Sequence, residues 1–257
     1  MSEVSQVKCG FVIPVYKHGS VLESVVKNLL QYNLPIVVVD DGNDDKNKAF
    51  IADVAQKYPL VTLVTRTKNG GKGKAMKDGV RKANEMGLTH IFQVDSDGQH
   101  DVGRVGYFLE MSKKYPDAVI CGYPEYDESA PKARVKARKF ANAWIHLVTL
   151  SKEIVDALIG FRIYPVAPYM KIIDGPTYID SRMGYDIDIL VHLYWLGVPV
   201  ISEAVKVFYP KDGISNFRAF RDNMRISGTY TRLCLGLLVR WPWILARKKN
   251  GALRGKA

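Results

Sequence analysis

The chain has 257 residues, 47% of them hydrophobic, which predicts one α/β domain, or one domain with a C-terminal extension, that buries a full core. Its formal net charge is +11, but residues 221–257 hold nine Lys or Arg against one acid, so residues 1–220 carry only +3. This distribution argues against nucleic-acid binding, which requires a basic patch on the fold itself. Three widely spaced cysteines without CxxC spacing argue against a disulfide framework or a zinc site and favour a reducing cytosol, and the polar start MSEVSQVK predicts no signal peptide.

Strands and helices are predicted to alternate along the first hundred residues. Helical periodicity is expected behind a capping box at Ser20 and Glu23, and again over about 44–57 and 71–86. Apolar runs predict four strands, over 9–16, 35–39, 60–65 and 89–94. This alternation indicates a parallel sheet with right-handed crossovers, in which ligands bind beyond the carboxyl ends of the strands.

Polar clusters follow three of the predicted strands. Asp40-Asp41-Gly42 follows the second strand, Arg66 to Lys74 the third, and QVDSDGQHD (93–101) the fourth. Because these strand ends share one edge of the sheet, we expect the three clusters to line one crevice.

Two of the clusters carry ligand-binding patterns. Asp95 and Asp97 flank Ser96 in an extended segment, so alternation points both carboxylates to the same side. Such a pair can hold Mg²⁺ or Mn²⁺, with phosphate oxygens and waters completing the shell, although a solvated loop is the alternative. The glycine-rich stretch NGGKGKA (69–75) suits phosphates, but it lacks the spacing of a P-loop.

The ordered set of motifs resembles a known enzyme family. FVIPVYKHG, VVVDDGNDD, NGGKGKAMKDG and QVDSDGQHD resemble the donor-binding half of a family 2 glycosyltransferase. GFRIYP (160–165) and MGYDIDILVHLYWLGVPV (183–200) resemble the acceptor half of its dolichyl- or polyprenyl-phosphate sugar transferase branch. The resemblance implies a GT-A fold, an α/β Rossmann-like domain with a mostly parallel central sheet. It also implies a UDP- or GDP-sugar donor, Mg²⁺ or Mn²⁺, and inversion at the anomeric carbon.

The resemblance places the GT-A domain at residues 1–220, with the donor-binding half over about 1–101 and the acceptor half over about 102–220. It assigns Asp97 as the main metal ligand and Asp95 as a contact for the ribose or the metal. The other nucleotide-sugar contacts that it implies are Pro14 and Tyr16 in the pocket wall, Asp40 or Asp41 at the base, and Lys72 and Gly73 near the base and ribose.

An acid that faces the acceptor is expected in GYDIDIL. Asp186 and Asp188 are two residues apart on a predicted helix, so they point to different faces and at most one reaches the crevice. Asp186 is the preferred candidate, and a helix-capping role is the alternative for the other. A hydroxyl acceptor would need this acid as a general base, whereas a phosphate acceptor is already anionic and would not.

Basic residues are candidates for binding an anionic acceptor. Arg134 and Arg138 are four apart on one predicted helix face, although a solvated basic face is the alternative. The resemblance adds Arg162, within GFR, and Ser215. In the polyprenyl-phosphate branch a Gly-x-Ser-Lys signature is common, but Asn216 follows Ser215 here, and Arg218 is the candidate replacement for the lysine.

The basic tail, residues 221–257, is predicted to be an amphipathic helical extension. Its apolar stretch LCLGLLVRWPWIL (233–245) is broken by Arg240 and Pro242 and is shorter than the ~20 residues that span a bilayer. Neighbouring tryptophans and basic residues favour a helix at the bilayer surface, on the cytoplasmic face of the membrane. A terminal helix packed on the domain is the alternative.

Together these features predict a metal-dependent, inverting glycosyltransferase that moves a sugar from a nucleotide-sugar onto a lipid or lipid-linked acceptor. The alternatives are a non-catalytic basic membrane-binding module and a sugar nucleotidyltransferase. The second would share the sheet and the metal, but PVYKHGS after the first strand lacks its glycine-rich loop.

Overall fold

The computed structural model of the protein describes residues 6–99, 101–125, 132–206 and 219–249, with the side chains of 132–134, 219–220 and 248–249 excepted. Within these ranges the chain forms one seven-stranded sheet flanked by eight α-helices. The strands are β1 (Cys9–Val15), β2 (Ile36–Asp40), β3 (Val61–Thr65), β4 (His90–Gln93), β5 (Val119–Glu125), β6 (Arg162–Pro165) and β7 (Val200–Lys206). The helices are α1 (Gly19–Leu30), α2 (Asp45–Lys57), α3 (Lys72–Glu85), α4 (Val105–Lys114), α5 (Lys132–Thr149), α6 (Val166–Ile173), α7 (Tyr185–Leu196) and α8 (Ala219–Lys249).

The sheet is mixed but mostly parallel, in the order β3-β2-β1-β4-β6-β5-β7. The first four strands pair in parallel, and β6 runs antiparallel to its neighbours β4 and β5. The predicted alternation of strands and helices over the first hundred residues is therefore confirmed. Because β1 to β4 are parallel, the segments after them meet at one edge of the sheet.

Helices cover both faces of the sheet. Along β1, Phe11 packs into the core layer beneath α1 and α2, whereas Val12 packs into the layer beneath α3 and α7. This alternation of buried residues is the pattern expected for a strand with both faces covered.

The capping box predicted at Ser20 and Glu23 is wrong. Helix α1 begins at Gly19 with no side-chain hydrogen bond at its cap residue, His18. The Glu23 carboxylate instead lies 2.6 Å from Lys57 Nζ, on α2. The Glu23 side chain therefore pairs with a lysine distant in sequence instead of capping its own helix.

The C-terminal region is one 31-residue helix, α8, with Pro242 inside it. Its inner face packs on the domain through the buried side chains of Tyr230, Leu233 and Ile244. This inner face therefore matches the alternative prediction for the tail, a terminal helix packed on the domain. Since α8 begins at Ala219, the boundary predicted after residue 220 falls in its first turn.

Candidate active site

The loops after β1 and β2 are joined by hydrogen bonds at the carboxyl edge of the sheet. Asp40 Oδ1 accepts from the backbone N (2.9 Å) and the side-chain amide (2.6 Å) of Asn43. The same amide donates to Val15 O at the end of β1, at 2.8 Å. The expected convergence of the strand ends is thus visible in direct contacts.

Asp41 shapes the glycine-rich loop. Its Oδ1 accepts from Arg66 Nε (3.0 Å) and Gly70 N (2.9 Å), and its Oδ2 accepts from Gly71 N (2.8 Å) and the Asn69 amide (2.9 Å). Gly71 has φ 91°, a conformation that favours glycine. Both oxygens of Asp41 therefore bond to the loop, and the contact with a nucleotide base assigned to Asp40 or Asp41 stays a prediction.

Three other residues assigned to the nucleotide lie at the same edge. Pro14 and Tyr16, at the end of β1, are partly exposed, and Lys17 Nζ lies 5.4 Å from the centre of the Tyr16 ring. Gly73, in the first turn of α3, donates its backbone N–H to Ser181 O at 2.9 Å. The structure thus places these residues at the carboxyl edge of the sheet, and their contact with a nucleotide stays a prediction.

A lysine between two carboxylates forms the centre of the site. Lys72 Nζ lies 2.7 Å from Asp95 Oδ1 and 2.8 Å from Asp186 Oδ2; we call these three residues the ionic centre. The Gln93 amide, at the end of β4, donates to Asp186 Oδ1 at 2.8 Å. Gly160 covers the centre so closely that an added Cβ would lie 2.5 Å from Asp95 Oδ2 and 2.6 Å from Lys72 Nζ. The centre therefore joins the donor-side loop to the helix α7 that was expected to face the acceptor.

The pKa of Lys72 reflects two opposing effects. Burial alone would lower it, but the negative charges of Asp186 and Asp95 outweigh that effect and raise the pKa above its ordinary value. Lys72 is therefore a cation at neutral pH, with two carboxylates facing one ammonium group.

Asp97 lies in the turn that follows β4, partly exposed. Its Oδ1 accepts from Gln99 N at 3.0 Å, within the same loop. In the part of the chain that is described, no group of three or more His, Cys, Asp or Glu side chains is arranged as a metal cage. Two carboxylates, Asp95 and Asp97, fit an ion such as Mg²⁺ or Mn²⁺ that takes its other ligands from water and substrate phosphates.

Arg162 lies beneath Asp186 rather than on the crevice surface. Its side chain is 0% exposed, and its Nη1 donates to Asp186 O at 2.6 Å and to the Tyr164 hydroxyl at 3.2 Å. A group without exposed surface cannot touch a bound acceptor, so this burial corrects the acceptor contact expected for Arg162. The guanidinium instead supports the start of α7.

Asp188 faces away from the ionic centre, as its spacing from Asp186 predicted. It is 0% exposed, and its Oδ2 accepts from Asp180 N at 2.6 Å and from Arg232 Nη2, on α8, at 2.5 Å. Asp188 therefore holds α7, α8 and the preceding loop together. Asp186 is the acid that reaches the centre.

Arg138 has a structural partner. Its Nε and Nη2 donate to the two carboxylate oxygens of Asp156, at 2.6 and 3.1 Å, and Asp156 is buried. The pair lines a cavity of about 90 Å³ together with Lys139 and Asn142. The acceptor contact predicted for Arg138 stays a prediction, and so does that of Arg134, whose side chain is outside the described part of α5. Ser215 and Arg218 also lie outside the described residues.

The outer face of α8 is apolar and exposed. Trp243 is 78% exposed, Val239 73% and Leu238 69%, and Phe140 on the adjacent α5 is 68% exposed. Among the described residues, no helix combines the length and the apolar character needed to cross a bilayer.

Several residues of the site escaped the sequence reasoning. Gln93 and Gly160 contact the ionic centre, but each lies more than sixty residues from its partner Asp186 or Asp95 in the sequence. The sequence did contain a signal for Gln93, because it is a polar residue at the end of an apolar strand, next to the Asp95–Asp97 motif. No sequence signal marked Asp156 or Arg232, because their ion pairs, with Arg138 and Asp188, join separate helices or loops.

Comparison with protein families matches residues 11–173, more than half of the chain, to the family described as "Glycosyl transferase family 2". Curated relatives include a dolichyl-phosphate β-glucosyltransferase of Trichomonas vaginalis, 28% identical over 183 residues, which are 62% of this chain and 52% of the relative. The chain therefore spans about half the length of that relative. An uncharacterised protein of Methanocaldococcus jannaschii is 27% identical over 79% of this chain and 90% of its own length. A UDP-N-acetylglucosamine–dolichyl-phosphate N-acetylglucosaminyltransferase of Methanococcus voltae is 28% identical over 60% of this chain and 67% of its own.

Solved structures share the fold at low sequence identity. Glucosyl-3-phosphoglycerate synthase of Mycobacterium tuberculosis, with Mn²⁺, UDP-glucose and phosphoglyceric acid bound, has a TM-score of 0.66 and 13% identity. That match covers 90% of this chain and 80% of the synthase chain. A mannosyltransferase from Pyrobaculum calidifontis with GDP-mannose and Mn²⁺ has a TM-score of 0.56 and 16% identity, over 99% of this chain and 78% of its own. These likenesses establish the GT-A fold.

Proposed function

This chain belongs to glycosyl transferase family 2 and is a glycosyltransferase, and on that premise we propose that it transfers a sugar, with inversion, from a nucleotide-sugar to a lipid-phosphate acceptor. One observation carries the proposal: Lys72 bridges the donor-side acid Asp95 and the acceptor-side acid Asp186. The structural relatives with bound UDP-glucose or GDP-mannose support a nucleotide-sugar donor. The dolichyl-phosphate transferases among the curated relatives support a lipid-phosphate acceptor.

The donor would lie over the ends of β1 to β4. Asp95 and Asp97 would hold a divalent cation there, which neutralises the charge of the departing diphosphate when it is bound. Lys72 has three N–H donors, and two carboxylates engage two of them. The third can turn to a phosphate oxygen of the donor, so Lys72 would stabilise the same charge.

Asp186 would position Lys72. A phosphate acceptor is already anionic and brings no proton to be removed, so transfer to it needs no general base. The Gln93 amide bonds to the Asp186 carboxylate, which in turn holds the ammonium group, so Lys72 would be fixed between the two bound substrates. Orientation of this kind lowers the barrier because the reacting groups are held in place before the reaction.

The acceptor phosphate would lie near the basic side of α5. The Arg138–Asp156 pair and Lys139 line a cavity there, and residues 156–160 lead from it directly to Gly160 at the ionic centre. Four residues of chain span at most ~14 Å, so a phosphate bound over the cavity would have at most about that distance to move to reach the ionic centre, where transfer would take place.

A thermal-shift panel of UDP, GDP, CDP and ADP, with and without Mn²⁺, tests the donor side of the proposal. One nucleotide should raise the melting midpoint of the wild type in a metal-dependent way, because it binds the native state. The shift should disappear in Asp97→Ala and persist in Asp101→Ala, whose carboxylate caps the short turn at Gly103. No shift with any nucleotide would contradict the proposal.

The exposed face of α8 would attach the protein to the cytoplasmic face of a membrane. Trp243 and Leu238 on α8 and Phe140 on α5 would enter the interface, and nearby basic residues would contribute roughly 1 kcal/mol each on anionic lipid. Wild type should pellet with anionic liposomes at low salt, and Trp243→Ser should weaken this binding more than Phe50→Ser, an exposed control on α2. Equal binding of the two variants would contradict attachment through α8.

A further inference from the structure

The segment Asp180–Arg182 lies against the glycine-rich loop. Ser181 O accepts from Gly73 N at 2.9 Å, and Arg182 Nη1 donates to Asn69 Oδ1 at 3.0 Å. A Cβ on Gly73 would clash with Asp180 O. The loop that carries Lys72 therefore takes part of its shape from this segment.

The opposite side of the same segment is held by α8. Asp188 Oδ2 accepts from Asp180 N at 2.6 Å and from Arg232 Nη2 at 2.5 Å, so one carboxylate oxygen joins the segment to the C-terminal helix. Thr229 of α8 packs directly on Gly184, because a Cβ there would clash with the Thr229 hydroxyl. These contacts form a continuous path from α8 through α7 to the donor loop.

We propose that Arg232 and Asp188 are positioning residues for the donor site, so that α8 sets the shape of the glycine-rich loop through their ion pair. This inference rests on the proposed nucleotide-sugar donor. It goes beyond that proposal because it assigns the C-terminal helix a part in donor binding that is separate from any membrane contact.

The physical reason lies in the burial of Asp188. Without Arg232, this carboxylate with no exposed surface would keep only His192 Nδ1, 3.3 Å from its other oxygen, and would shift from its position. The shift weakens the bond between Asp188 Oδ2 and Asp180 N. The segment would then relax away from Gly73, and Lys72 would lose its fixed place between Asp95 and Asp186.

Nucleotide affinity tests this coupling. UDP and GDP are titrated with Mn²⁺ into wild type, Arg232→Gln and Arg232→Lys, well below the melting midpoint of each. Arg232→Gln should weaken binding by up to about tenfold, because the coupling cannot exceed the energy of the charged hydrogen bond that is lost, and Arg232→Lys should recover most of the affinity. The control Arg240→Gln removes an exposed arginine of the same helix, which stacks on Trp195, and should change affinity less than twofold.

Hydrogen exchange separates failure of the coupling from failure of the proposed function. In Arg232→Gln the amides of Gly70, Gly71 and Gly73 should exchange faster, whereas those of α1 should not change. If loop exchange and nucleotide affinity both match wild type while the midpoint falls, the ion pair is structural and the positioning proposal is wrong. If wild type binds no nucleotide but the loop exchanges faster in the variant, the proposed donor is wrong and the coupling stands.

Discussion

Gly160→Ala adds a single methyl group that would press against the side chains of the ionic centre. The new Cβ would lie 2.5 and 2.7 Å from the Asp95 carboxylate oxygens and 2.6 Å from Lys72 Nζ, about 0.7 to 0.9 Å inside ordinary contact. These atoms are the ends of side chains and can move, so we expect a stability cost near the low end of overpacking, about 1 kcal/mol. Displacing Lys72 by roughly 1 Å should lower sugar transfer by on the order of 100-fold.

The assay pairs initial rates of sugar transfer with thermal unfolding. Gly228→Ala is the matched control, since among the described residues no atom beyond its chain neighbours and the nearby backbone of its own helix lies within 4 Å of the added Cβ. Gly228 lies on α8, where alanine should stabilise the helix by about 0.5–1 kcal/mol. We expect the control to transfer sugar at the wild-type rate. A wild-type rate in Gly160→Ala would show that the position of Lys72 does not matter for the reaction.

Further predictions concern buried acids and a histidine. Asp186→Asn should lower transfer to a lipid phosphate about tenfold and should also lower the melting midpoint, because the Lys72 ammonium group then keeps only Asp95 as an anionic partner. A loss of transfer of about 1,000-fold would identify a general base instead. Asp188→Asn should lower the free energy of unfolding by ~2 kcal/mol and the melting midpoint by roughly 4–8 °C. The loss is limited because Arg232, which is left without this partner, is partly exposed and solvated. Burial lowers the pKa of His90, so the unfolded chain takes up its proton first as the pH falls below about 6.5 and stability declines. His90→Gln should reduce this decline in denaturant titrations at neutral pH and about pH 5.5; an unchanged pH slope would exclude His90 as its source.

The donor half of the fold could be predicted from sequence because its signals are local. Apolar runs such as Val37 to Val39 and the turn residues behind them identify strands with both faces covered, and their alternation with helices fixes a parallel sheet. The parallel order then places the polar segments at one edge. The same reasoning separated Asp186 from Asp188, since helix geometry alone sends them to different faces.

Partners distant in sequence could not be predicted. The Glu23 side chain bonds to Lys57, the last residue of α2, and to Tyr58 after it rather than to its own helix terminus, because the packing of α1 on α2 brings these groups together. Arg162 was expected to contact the acceptor, but the packing of α7 over it leaves this motif residue buried. The bond from Gln93 to Asp186 and that from Arg232 to Asp188 likewise depend on how separate elements pack, which periodicity does not record.

Sugar transfer into a lipid phase tests the central claim most directly. The protein is incubated with Mn²⁺ and UDP-glucose, UDP-N-acetylglucosamine or GDP-mannose, together with a polyprenyl phosphate or the matching unphosphorylated polyprenol. We predict a sugar-lipid of inverted anomeric configuration with one donor and the phosphate acceptor, and none with Asp97→Ala. Equal transfer to the unphosphorylated polyprenol, or no transfer from any of these donors to the lipid phosphate, would contradict the account.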